Sequence, residues 1–134
     1  MEEDEFLGNT PIFFDGKDRF NVPAKFKSIL EKKYNSNLII CVKKDHIRIF
    51  PNKEWEESKK DWEKLITYGD DDEQIKIRRK ALSHTSRYKM KSGKILLTAD
   101  QRKKVGLTAK EAVLIGMSNF FEVWPKELWE KEYG

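Results

Sequence analysis

Strong nucleophiles and soft metal ligands are scarce in this chain: among 134 residues there are one cysteine and two histidines. A lone thiol closes no intrachain disulfide, which fits a reducing compartment. Cys41 lies in the apolar run "LIICV" and is read as a core thiol, not a nucleophile. His46 stands in a strand pattern beside Asp45, and His84 has no motif partner. Both read as structural or surface histidines. No Cys/His cluster has metal-ligand spacing, and no glycine-rich phosphate loop precedes a helix. The acidic run "DDDE" at 70–73 lacks the alternating ligands of a calcium loop and reads as a solvated helix start. The expectation is a protein that is not an enzyme, with no cofactor, metal or small-molecule substrate. No apolar run approaches the ~18 residues that a spanning helix needs. The opening "MEEDE" is acidic, unlike a secretory signal. A soluble cytoplasmic protein with no membrane partner is expected.

What is present is bulk and charge. Hydrophobic residues make up 38% and charged residues 37%. Four Trp and eight Phe are too many large apolar side chains for a solvated tail. One domain with an aromatic core under a charged skin follows. The formal net charge is +4 and the pI about 9.0, a mild bias toward polyanions. The acidic runs at 1–5 and 70–73 leave the rest of the chain more basic than that sum.

The chain also repeats itself. "DGKDRFNVPAKFK" (15–27) aligns with "MKSGKILLTADQR" (90–102), which sets Arg19 on Lys94, Val22 on Leu97 and Lys27 on Arg102. With one gap closed, "LIICVKKDHIRIFPNKEW" (38–55) covers "AVLIGMSNFFEVWPKELW" (112–129). Phe50 then meets Trp124, Pro51 meets Pro125 and Trp55 meets Trp129. Two blocks in the same order indicate a duplication. A period this long, present twice, argues for two copies folded together and not for a solenoid. Residues 1–60 are assigned to a first repeat, 61–86 to a helical connection and 87–134 to a second repeat, all in one compact domain. Asp45 and His46 fall on Asn119 and Phe120, so no catalytic dyad recurs.

Each copy reads as strand, turn, strand, short helix and strand hairpin. Pro23 suits a helix start. Phe26, Ile29 and Leu30 then give one buried stripe. "LIICV" and "HIRIF" are short strands around the polar turn "KKD". In the second copy a helix near 99–105 stops at Gly106, and "AVLIG" and "FFEVW" are strands. "TAKE" at 108–111 resembles a capping box but is discounted, because its counterpart precedes a strand. The connection reads as two helices. Asn52 caps the first, whose apolar face is Trp55, Trp62, Leu65 and Ile66, ending at Gly69. The second carries Ile75, Ala81 and Leu82, with Lys76, Arg78, Arg79 and Lys80 on its other side. The two form a hairpin beside the strands or lie between subunits. Trp62, Trp129 and the segment "ELWEKEY" are candidate subunit contacts, with core positions the plainer reading for both Trp.

The repeated turns carry the candidate site: Gly16, Lys17 and Arg19 in the first copy, Lys91, Ser92 and Lys94 in the second, with Lys89 close by. Gly16 and Gly93 are read as positions that let the backbone bend sharply or approach another molecule. Cations projected from a rigid strand pair suit phosphates and guanine edges, and the Arg19 fork matches guanine O6 and N7 where Lys94 offers a point charge. Composition alone favours ordinary solubilising loops.

"FLG" at 6–8, the first turn, "SGKILL", "GL" at 106–107 and "VLIG" with "FEVW" together resemble the MraZ family of the AbrB-like superfamily, over nearly the whole chain. The resemblance implies an internally duplicated, swapped-hairpin β-barrel of α+β class with short flanking helices. It implies a transcription factor, associated with the nucleoid, acting on the promoter of the division and cell-wall gene cluster. It also implies a ring-shaped homo-oligomer whose turns read G-rich direct repeats of double-stranded DNA. A protomer making ~2–4 phosphate contacts binds weakly, and joined protomers add avidity. The sequence departs from the family at Asp18 for Gly, Met90 for Asp, Lys94 for Arg and Thr98 for Pro. The second turn is therefore expected to clamp phosphate more than read bases. The competing reading is a protein-interaction or antitoxin-like scaffold on the same fold. Two copies with almost no tail count against it.

Overall fold

The computed structural model describes residues 4–65 and 72–134, and of 62–65 and 72 only the helical backbone. The expected apolar side chains at Trp62, Leu65 and Ile66, the stop at Gly69, and Asp70 and Asp71 lie outside the described residues. The first copy supplies β1 (Asn9–Phe13), β2 (Arg19–Asn21), α1 (Ala24–Lys33), β3 (Asn37–Val42) and β4 (Ile47–Pro51). Helices α2 (Asn52–Leu65) and α3 (Asp72–Ser83) follow. The same succession then returns as β5 (Thr85–Lys89), β6 (Lys94–Leu96), α4 (Ala99–Lys104), β7 (Glu111–Gly116) and β8 (Phe121–Pro125), closed by α5 (Lys126–Tyr133).

Strand pairing corrects two expectations. The first strands of each copy do not form a hairpin: β1 pairs with β7, β5 pairs with β3, and β2 pairs with β6, all antiparallel. Each copy thus completes the other's sheet, so the apolar face of neither half is left open. The chain is α+β, but no barrel closes. A six-stranded sheet runs β1-β7-β8-β4-β3-β5, and β2-β6 stands apart as a two-stranded ribbon. The ribbon strands are only three residues each and bond to one another, so they cannot bridge β1 to β5 across the opening. Both outer strands bear edge-protecting residues, Pro11 on β1 and Arg87 and Lys89 on β5.

The register shows an approximate two-fold arrangement. In the ribbon Phe20 faces Ile95, its own counterpart in the repeat alignment. In the sheet Arg48 faces Glu122, again counterparts. Alternation splits the side chains into two layers. One layer is the main core, where Phe20, Ile95, Ile47, Ile49, Leu114 and Val123 are all essentially inaccessible. Phe6 closes this core, with its ring 5.2 Å from Phe26 and 5.1 Å from Phe121, both edge-on. On the far face Val113, Ile115 and Trp124 pack with Leu128 and Trp129 of α5. Trp129 is therefore half-buried against its own sheet.

Local signals explain most boundaries. Pro23 sits one residue before α1, and Phe26, Ile29 and Leu30 are its buried stripe. Helix α4 is fixed by a capping box that the sequence reading overlooked: Gln101 N donates to Thr98 Oγ1 at 3.1 Å, and Thr98 N donates to Gln101 Oε1 at 2.9 Å. Thr98 thus replaces the proline of the first copy with a side-chain cap. At Gly116 an added Cβ would lie 2.4 Å from the backbone of Phe6 and Leu7. Only glycine lets the N-terminal segment cross there, where Phe6 and Ser118 exchange two backbone hydrogen bonds of 2.8 Å. Among the described residues no helix is long and apolar enough to cross a membrane.

Candidate nucleic-acid interface

The first turn is organised by a carboxylate. Asp15 accepts from the backbone N–H of Lys17 at 2.8 Å and of Arg19 at 3.0 Å, and from Arg19 Nε at 3.2 Å. Those backbone N–H groups, Arg19's foremost, hold the Asp15 carboxyl below the usual range. The turn is cinched by Asp15 N to Arg19 O at 2.7 Å. Phe14 anchors its base, with its ring edge-on to Phe20 at 5.7 Å. Gly16 and Lys17 are left exposed at the tip. With only its Nε engaged, Arg19 keeps both Nη groups unpaired among the described residues.

Backbone strain falls elsewhere than at Gly16. The left-handed residue of the first turn is Asp18, with φ 63°, which sits where the second copy has Gly93, φ 70°. Aspartate tolerates this conformation better than most L-residues. Here it is also bonded: Arg102 Nη1 donates to Asp18 Oδ1 at 2.6 Å. Arg102 further donates from Nε to Leu107 O at 3.1 Å and from Nη2 to Ala109 O at 3.0 Å, and it lies 3.8 Å over the Phe14 ring. All three guanidinium nitrogens are engaged, so this arginine is a structural clamp. In the other copy the matching side chain, Lys27, lies across Gly93, within 3.2 Å of a Cβ placed there. The two turns thus solve one problem differently: an Asp–Arg pair in the first, a glycine under a lysine stem in the second.

Met90 replaces the carboxylate in the second turn and packs its half-buried side chain against the core. Two consecutive left-handed residues, Ser92 with φ 54° and Gly93, make the bend, and Lys94 N donates to Lys91 O at 3.0 Å. No acid orients Lys94 among the described residues. Lys91 and Ser92 are exposed, and Lys94 is half-buried.

Each turn is pinned to the opposite copy. Val22 N donates to Gly93 O at 2.9 Å, and Leu97 N donates to Asp18 O at 3.0 Å, extending the ribbon ladder at both ends. Because Phe20 and Ile95 point into the core, the residues beside them point out. Arg19 opposite Leu96, and Asn21 opposite Lys94, form that outer face. The structure therefore brings Arg19 and Lys94 onto one surface of a two-stranded ribbon and sets Lys17 at one tip and Lys91 and Ser92 at the other. The sequence reading missed Asn21, which alternation from Arg19 signals, and Asp15 as the orienter of Arg19, which their four-residue spacing signals.

Comparison with known proteins converges on one family. Residues 81–133 match the family model described as "MraZ protein, putative antitoxin-like". The chain is 32% identical over 131 residues to the transcriptional regulator MraZ of Neisseria meningitidis serogroup C, covering 95% of this chain and 84% of that protein. Against the transcriptional regulator MraZ of Nitrosomonas europaea it is 32% identical over 130 residues, with 95% and 85% covered. The corresponding figures for that of Serratia proteamaculans are 28% over 130 residues, with 95% and 84% covered. On these matches the chain belongs to the MraZ family of transcriptional regulators.

Proposed function

We propose that this regulator binds double-stranded DNA in a sequence-specific manner through the outer face of the β2-β6 ribbon and its two flanking turns. The observation that carries the reading is the placement of Arg19 and Lys94 on one ribbon face, with cationic tips at Lys17 and Lys91. A two-stranded ribbon fits the B-DNA major groove, and an arginine with two unpaired Nη groups suits guanine O6 and N7. Asp15 sets the direction of that fork. Lys94, a point charge without an orienting acid, supplies phosphate contact in this reading. Gly16 and Ser92 add little bulk at the tips, so the backbone can approach a phosphate. The assembly is a ring-shaped homo-oligomer on G-rich direct repeats in the promoter of the division and cell-wall gene cluster, at the nucleoid in the cytoplasm. One protomer's few phosphate contacts give modest affinity, and linked protomers multiply it. The repeats in this reading span 1–60 and 87–134, and 61–86 connects them.

Selection of bound duplexes from a random pool tests the proposal. Enrichment of a short guanine-containing motif recurring at a fixed spacing is expected for the intact chain, and its loss for Arg19→Ala. No enrichment at low salt, or the same motif from Arg19→Ala, would refute it.

A further inference from the structure

Helix α3 stands off the sheet and leaves a hollow beneath it, on the face away from the ribbon. Its wider part has a volume of about 820 Å³ and adjoins a second part of about 510 Å³. Both parts share Cys41, Lys43 and Arg48 from the sheet side and Ile77 and Ala81 from the helix. Their size is that of small-molecule sites. Toward α2 the lining adds the apolar Phe50, Trp55 and Leu82 beside the polar Ser58, Gln74, Arg78 and Thr85. Toward the β3-β4 turn it is cationic, with Lys43, Lys44, Lys80 and Lys104.

The carboxylates beside these cations have partners of their own. Asp45 accepts from His46 Nδ1 at 2.8 Å. Glu122 is taken up by Arg48 Nε at 3.2 Å and by Trp124 Nε1 at 2.9 Å. Lys104 pairs outward with Asp100 at 3.2 Å. Lys43, Lys44 and Lys80 make no ion pair among the described residues. Both Nη groups of Arg48 are likewise unpaired among the described residues, since its contacts run through Nε. Three ammonium groups and an arginine fork thus line a hollow that also presents apolar side chains.

We infer that this hollow binds a small amphipathic anion, its apolar or aromatic body between α3 and the Phe50–Trp55 wall and its acidic group among Lys43, Lys80 and Arg48. Charge complementarity selects the head, and the slot selects the tail. A ligand with one anionic group and an apolar body meets both kinds of side chain in this lining. Because α3 contributes one wall, occupancy ties the helical connection to the sheet, giving the regulator an effector site distinct from its ribbon.

Titration of the full chain with two anionic probes tests this: 8-anilinonaphthalene-1-sulfonate by fluorescence, and dodecyl phosphate below its micelle concentration by calorimetry. Dodecyl maltoside is the neutral control, and inorganic phosphate the tail-less one. One site per chain is expected, with at least tenfold weaker binding of both controls. Lys43→Glu combined with Lys80→Glu changes only exposed side chains and should weaken both probes at least tenfold. Ile77→Trp fills the slot from an exposed helix position and should do the same. Equal binding of the neutral control overturns the inference, as do unchanged affinities in both variants. Displacement of the probe by random-sequence duplex as readily as by dodecyl phosphate also overturns it, since that marks a nucleic-acid surface.

Discussion

Replacing Asp18 by glycine would give the first turn the residue that its counterpart already has, and the sign of the effect is decided by two opposing magnitudes. Relief of a left-handed φ of 63° favours glycine by roughly 1 kcal/mol, the low end for an aspartate. Greater freedom of the unfolded glycine chain offsets about half of that. Against it stands the Asp18–Arg102 bond of 2.6 Å, in which Arg102 is only 14% exposed and Asp18 37%. A charge-assisted hydrogen bond contributes about 1.5–3 kcal/mol, and partial exposure moves this pair to the lower half of that range. Asp18→Gly should therefore destabilise the protein by ~1 kcal/mol. Arg102→Ala should cost more, ~2–4 kcal/mol, because it also removes bonds to two carbonyls and the stack on Phe14. A double-mutant cycle by urea unfolding measures the pair directly, and a coupling of ~1–2 kcal/mol is expected. A stabilised Asp18→Gly, or a coupling within about 0.3 kcal/mol of zero, would refute the clamp.

The remaining expectations concern binding, packing and pH. Arg19→Ala should lose ~1–3 kcal/mol of specific DNA affinity with the fold intact, read by fluorescence anisotropy at fixed salt. Lys94→Ala should weaken all duplexes alike and lower the log–log salt slope by about 1 per protomer, and an unchanged slope would remove Lys94 from the phosphate contacts. Gly116→Ala should destabilise by about 3 kcal/mol through collision with the Phe6 backbone, read as a fall in the urea midpoint. Burial disfavours the charged form of His46, yet hydrogen bonds to Glu122 and Asp45 prevail and raise its pKa. Its stabilisation is thus full below the ordinary histidine value and fades as pH rises through the raised one. His46→Gln should abolish that loss of stability above neutral pH in unfolding titrations.

What could be read from the sequence follows from how local each signal is. Helix α1, the hairpins β3-β4 and β7-β8 and the repeated turns are set by periodicity and by glycine or proline within a few residues, so they were legible. Which copy each strand joins is a long-range choice. The short runs at 9–13 and 85–89 carry no mark that they pair across copies, so the expected hairpins and barrel gave way to an open sheet and a ribbon. Glycine at 16 drew attention to the wrong position, because a left-handed aspartate leaves no signature without its partner Arg102, far along the chain. For the candidate site the sequence offered residue types, Lys17, Arg19, Lys91 and Lys94. That Arg19 and Lys94 fall on one face was not readable, since it depends on the register of Phe20 with Ile95.

Amide hydrogen exchange of the intact protein, with and without its selected duplex, maps the contact surface without altering a residue. The ribbon interface predicts new protection at residues 16–21 and 91–96 and little change on α3. Protection confined to α3, with its exposed Lys76 and Lys80, and none at either turn would contradict it.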